Sequence, residues 1–116
     1  MQHESINYLE WPSSDLALTK QFFNQVFDWT FTDYGPDYVA VNNANIDGGF
    51  FFSPRQATTA NGSVLVVFYS NNLTATEQKI IAAGGEIVRE IFEFPGGRRF
   101  HFLDLTGNEF AVWSDN

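Results

Sequence analysis

Ser14-Asp15-Leu16-Ala17-Leu18-Thr19-Lys20-Gln21 and Asn71-Asn72-Leu73-Thr74-Ala75-Thr76-Glu77-Gln78 are two versions of one helix entry, 57 residues apart from Asp15 to Asn72. Working outward, each copy follows a strand-like run, Ile6–Trp11 or Ser63–Tyr69, and precedes three more. Each half then closes through a glycine-containing turn into an apolar strand, Asp47-Gly48-Gly49-Phe50 in one and Thr106-Gly107-Asn108-Glu109-Phe110 in the other. Self-similarity at a fixed spacing decides the fold, because a repeated unit buries its apolar face against its copy. The expected architecture is α+β: tandem βαβββ modules, about 1–54 and 62–116, in a single domain over 1–116. They should form a curved mixed sheet around a cavity, and a binding site belongs in that concavity.

The local signals agree with this plan. The first strand should stop at Pro12, with Ser13, Ser14 and Asp15 as cap candidates. A helix near 15–27 carries Leu16, Phe23, Val26 and Phe27 on one face at helical spacing. Strands follow at about Trp29–Asp33, Asp37–Asn42 and Ile46–Ser53. Residues 54–62 are small and polar, a linker between modules. The second half repeats the order, with strand Ser63–Tyr69, a helix near 73–83 ended by Gly84-Gly85, and strands near Glu86–Phe92, Arg98–Leu103 and Asn108–Ser114. Ser63–Tyr69 is apolar on both faces, so cover on both sides is expected.

Composition excludes several classes. With 14 acidic against 6 basic residues, the formal charge of -8 argues against nucleic acid and against anionic membrane surfaces. A chain without cysteine has neither disulfides nor thiolate-ligated metals. No signal peptide and no apolar run of membrane-spanning length is readable, so the expectation is a soluble, cytoplasmic protein. The 13 phenylalanines are a large apolar load for 116 residues, enough to fill a core and line a pocket.

Several stretches carry a family likeness: Pro12-Ser13-Ser14-Asp15-Leu16, Phe22-Phe23, Val26-Phe27-Asp28-Trp29, Ala82-Ala83-Gly84-Gly85 and Asp104-Leu105-Thr106-Gly107-Asn108-Glu109-Phe110-Ala111-Val112-Trp113. In order and spacing they resemble the vicinal-oxygen-chelate superfamily, which takes in glyoxalase I, extradiol dioxygenases, fosfomycin-resistance enzymes and bleomycin-resistance proteins. The resemblance implies sheets curling around a shared cavity and a homodimer completing the sites, with Trp11 or Trp29 partly covered by the partner. In metal-dependent members, His and Glu ligands occupy the first and last strands of each module. Carried onto this chain, those positions are Tyr8 and Leu65, and about Phe51 and Ala111, an offset of 60 for the second pair. Three have no donor atom and a neutral tyrosine is a poor ligand, so the expectation is no metal and no cofactor.

Neither histidine rebuilds a metal site. His3 precedes the first strand with parity opposite to Tyr8. His101 shares a strand face with Arg99 and Leu103, opposite to Phe100 and Phe102; it is either a cavity residue or an inert structural one. Alternation gives Tyr8, Glu10, Phe51, Tyr69, Arg99, His101 and Trp113 as candidate ligand contacts. Glu10 stands out because a carboxylate closing an apolar strand is either in water or paired. Phe94-Pro95-Gly96-Gly97-Arg98-Arg99 leads into no helix and reads as a hairpin rather than an anion loop. No nucleophile–base–acid trio is legible. The function expected is metal-free binding of a small molecule, sequestered or sensed, and the acidic balance leaves a cationic aromatic ligand open. The competing expectation is a metal-dependent lyase, isomerase or dioxygenase with displaced ligands.

Overall fold

The computed structural model describes residues Met1–Asn116. Its elements are β1 Tyr8–Ser13, α1 Leu16–Phe27, β2 Phe31–Asp33, β3 Tyr38–Val41, β4 Asp47–Phe52, β5 Val66–Tyr69, α2 Leu73–Ala82, β6 Glu86–Phe94, β7 Gly97–Leu103 and β8 Glu109–Ser114. They form two four-stranded mixed sheets, ordered β1-β4-β3-β2 and β5-β8-β7-β6. In each sheet the first strand lies parallel to the last, and the remaining pairs are antiparallel. The α+β fold of tandem βαβββ modules is the one the repeat calls for.

The repeat persists to single hydrogen bonds. Asp15 Oδ1 accepts from the Leu18 N–H at 3.1 Å, and Asn72 Oδ1 accepts from the Ala75 N–H at 3.1 Å. Ser13 Oγ bonds Thr19 Oγ1 at 2.8 Å, and Ser70 Oγ bonds Thr76 Oγ1 at 2.7 Å. Each of these four pairs keeps the 57-residue offset, because one capping geometry satisfies the same orphan N–H groups twice. The helix ends differ. Asp28 takes the left-handed conformation after α1 (φ 59°), whereas Gly84 supplies it after α2 (φ 94°).

One core serves both modules. Trp11, Phe22, Phe23, Phe50, Phe102 and Phe110 are all buried within it. Ring pairs cross from one module to the other: Trp11 with Phe110 at 5.9 Å, Phe23 with Phe110 at 5.4 Å, and Phe27 stacked on Phe68 at 4.3 Å. Full burial of one such ring contributes about 1.5–3 kcal/mol, so the two halves share their main stabilising surface. Trp11 and Trp29 are consumed here, 7% and 6% exposed, and are not free to meet a partner.

Three further details depart from expectation. β1 runs through Pro12 to Ser13, because it is an edge strand and the prolyl nitrogen faces the free side. The Pro12 carbonyl on that same side accepts from Asn108 Nδ2, at 2.6 Å, tying β1 to the other module. β5 begins only at Val66, where pairing with Phe110 starts. Val64, Val67 and Tyr69 are exposed, so this strand is covered on one side and not on both.

Candidate functional site

Strand alternation sends Trp11, Phe50, Phe102 and Phe110 into the core, and their neighbours outward. Tyr8 and Glu10 stand on the outer face of the first sheet, with Phe51 on the same face. Arg99, His101, Trp113 and Tyr69 stand on the outer face of the second. Phe100 and Phe102 are fully buried on the opposite side. The seven candidate residues therefore fall into two groups, one per sheet. The main cleft, about 980 Å³, runs between the β1 edge, residues 54–57 and Ser63–Val66, and it takes Glu10 but none of the second group. Neither the main cleft nor the pocket at His101 is lined by residues of both groups. The helices and the common core hold the inner faces together, which turns the outer ones apart.

On the first sheet, Tyr8 and Tyr38 join hydroxyl to hydroxyl at 2.5 Å, and the Tyr38 hydroxyl donates to Glu10 Oε2 at 2.9 Å. Burial first, then the bonds to Tyr8 and Glu10, push the Tyr38 phenol far above the ordinary tyrosine range, so it stays a donor. Gly49 makes the arrangement possible: a Cβ there would meet the Tyr38 hydroxyl at 2.3 Å and the Val39 carbonyl oxygen at 2.7 Å.

On the second sheet, His101 is 6% exposed and both ring nitrogens are engaged. Nδ1 lies 2.9 Å from Glu109 Oε2, and Nε2 lies 3.1 Å from Arg99 Nη2. A guanidinium only donates, so Nε2 accepts and the ring proton sits on Nδ1, facing Glu109. Glu109 Oε1 accepts from both the N–H and the hydroxyl of Thr59, each at 2.8 Å. Burial alone would raise the Glu109 carboxyl, but the bonds from His101 and Thr59 outweigh it and hold the group below the usual carboxylate range. Tyr69 stacks edge-on against Trp113 at 5.1 Å and donates to Asp115 Oδ1 at 2.6 Å. Phe94 lies 6.2 Å from Trp113 on the other flank.

The donor set does not fit a divalent ion. The Tyr8 hydroxyl is tied to Tyr38, His101 has no free nitrogen, and Phe51, Leu65 and Ala111 offer none. No three His, Cys, Asp or Glu side chains converge anywhere in the chain. The register also corrects the expected pairing of positions. Glu10 faces Gly49 and Pro12 faces Phe51, whereas Val67 faces Ala111 and Tyr69 faces Trp113. Phe51 thus corresponds to Trp113, and Gly49 to Ala111, an offset of 62 rather than 60. His3 lies outside β1 on the surface.

Sequence reasoning missed Tyr38, Arg89, Phe92 and Glu109. Glu109 shares the parity of Ala111 and Trp113 on β8, and Tyr38 faces Phe51 across β3 and β4. Alternation carried one same-face position further on β8 and one strand further on the first sheet would have found both. Arg89 and Phe92 were hidden because β6 shifts register between Ile87 and Arg89 and again between Arg89 and Phe92.

A tandem βαβββ domain whose outer sheet faces carry polar and aromatic groups belongs to the class of glyoxalase-like folds. The match is explicit: the model of the Glyoxalase/Bleomycin resistance protein/Dioxygenase superfamily covers residues 5–112, and the chain belongs to that superfamily. Among solved structures it resembles a glyoxalase-related enzyme from Fulvimarina pelagi, at TM-score 0.79 and 15% identity, covering 96% of this chain and 88% of that one. A family enzyme from Burkholderia phytofirmans PsJN matches at 0.77 and 17%, covering 95% and 98%. A fosfomycin-resistance protein from Listeria monocytogenes, crystallised with Mn(II) and a dihydroxypropylphosphonic acid, matches at 0.78 and 16%, covering 97% and 90%. At these identities the likeness shows the fold alone. No curated protein matches the chain in sequence.

Proposed function

We propose that the protein binds a small organic molecule without a metal, sequestering or sensing it, in a site closed between two copies of the chain. The observation that carries this reading is the exposure of Tyr8 (45%), Phe51 (38%) and Tyr69 (53%) on sheet faces that also hold ordered polar groups. Exposed aromatic side chains grouped on one sheet face, as Tyr8 and Phe51 are on the first sheet, mark an interaction site. Each chain offers two related sheets, each ending in a free edge strand, β1 or β5. Setting the first sheet of one copy against the second sheet of another covers both faces, and a two-fold axis makes the contact reciprocal. Tyr8, Glu10 and Phe51 of one copy then share a cavity with Tyr69, Arg99, His101 and Trp113 of the other.

A thermal-shift screen over metabolites and antibiotics, with divalent ions as controls, tests the function. A ligand at a hundredfold excess over its Kd adds about 2.7 kcal/mol of stability. The reading expects such shifts from organic molecules, unchanged by a chelator. Shifts from Mn(II), Zn(II) or Ni(II) alone would favour a metal-dependent enzyme instead.

A further inference from the structure

The outer face of the second sheet holds two guanidinium groups with no carboxylate partner. The one ion pair between fully charged side chains joins Lys20 to Asp33, while His3 meets Glu4 and the neutral His101 donates to Glu109. Arg89 and Arg99 take part in none of them, in a chain with 14 acidic residues. Both instead sit by the Phe92 ring, with the Arg89 guanidinium carbon 3.6 Å and that of Arg99 5.4 Å from its centroid. Arg99 is partly buried, and its Nε is shielded from solvent without any hydrogen-bond partner. Its Nη2 is spent on His101, an acceptor that brings no negative charge.

Two like charges held near one ring, one with a dry unpaired donor, form an incomplete site. Glu109, hydrogen-bonded to His101, does not complete it, since its oxygens are taken by Thr59 and His101. His101 and Glu109 also line a pocket of about 360 Å³ that includes Arg89. Alongside, Tyr69, Trp113 and Phe94 form a run of adjacent rings. We infer that this face binds an organic oxyanion, a carboxylate, phosphate or sulfonate carried on a flat apolar body. The charge sits between Arg89 and Arg99, and the body lies on the aromatic run. Guanidinium forks suit oxyanions through paired charge-assisted bonds. The net acidity of the chain thus gives the wrong sign for its ligand. The inference rests on the binding function proposed above and names the class of ligand.

Isothermal titration with 2-naphthoate and with 2-naphthylmethylammonium separates the two claims. Wild-type protein should bind the naphthoate at least about tenfold more tightly than the ammonium, with affinity falling as salt rises. Arg89→Gln and Arg99→Gln should each weaken naphthoate binding about tenfold, and Arg99→Lys should restore part of the loss. Arg89 is at the surface, so its variant keeps the fold even if Arg99→Gln does not. Equal binding of both probes, unaffected by either variant, would overturn the anion assignment and leave the pocket standing. Binding of neither probe would overturn both claims. Naphthoate binding gained only in Glu10→Gln would mean that Glu10 of a second copy occupies the arginines, and would also overturn the assignment.

Discussion

Asp104 shows how much of this chain is settled by single side chains. It is 5% exposed, and its Oδ1 accepts from the Thr106 N–H, the Thr106 hydroxyl and the Asn108 N–H. Its Oδ2 has no partner. Burial raises the carboxyl above its ordinary value, and the bonds to Asn108, Thr106 and Gly107 only partly offset this. A raised carboxyl contributes stability that is present at low pH and lost as pH rises through the folded value. Asp104→Asn keeps the acceptor and removes the charge, so it should be neutral or stabilising at pH 7 and erase that pH dependence. Asp104→Ala orphans three donors and should cost about 1–3 kcal/mol per unsatisfied buried group, less any that reach water. Denaturant melts of both variants from pH 4 to 8 check this. Glu109 works in the opposite sense: its carboxyl is held low, so its contribution fades as pH falls through that lowered value.

At the scale of elements, the helix entries and the Thr106-Gly107 turn were legible, because capping and chain reversal need particular residues at particular positions. Gly48 and Gly49, expected to turn the chain into its last strand, instead lie inside β4. The paired caps at Asp15 and Asn72 are the clearest case. Strand faces were legible in part: alternation set Phe100 and Phe102 opposite Arg99 and His101, and the structure buries the two phenylalanines. What escaped was geometry that period-two counting does not encode. The bulges in β6 carried Arg89 and Phe92 out of view, and the prolyl nitrogen on a free edge let β1 run two residues too far. Gly49 joins the element to the site. Gly49→Ala drives a methyl into the Tyr38 hydroxyl and a backbone carbonyl that does not swing away. It should destabilise by about 1–3 kcal/mol, and a structure of the variant should show the Tyr38–Glu10 bond broken. An unchanged melting temperature would mean that β3 and β4 are less tightly held than described.

At the scale of the molecule, the repeat foretold two modules but not how they face one another. A shared concavity within one chain was the simplest closure of two like units. The aromatic core shows one part of the answer: Phe23, Phe27 and Trp11 reach into the second sheet and commit the inner faces to each other. No helix is long and apolar enough to cross a membrane, and the polar and aromatic candidates stand on the outer sheet faces. Their closure between copies is the central claim, and the chain's lack of cysteine makes it directly testable. The measurement is cross-linking of single-cysteine variants Tyr8→Cys and Tyr69→Cys with a short bismaleimide, read on a denaturing gel. Mixed and re-equilibrated, the two variants should give a covalent species of twice 13.1 kDa, while neither variant alone does so. A monomer-sized loop formed within the doubly substituted chain, with no cross-link between chains in the mixture, would contradict the account.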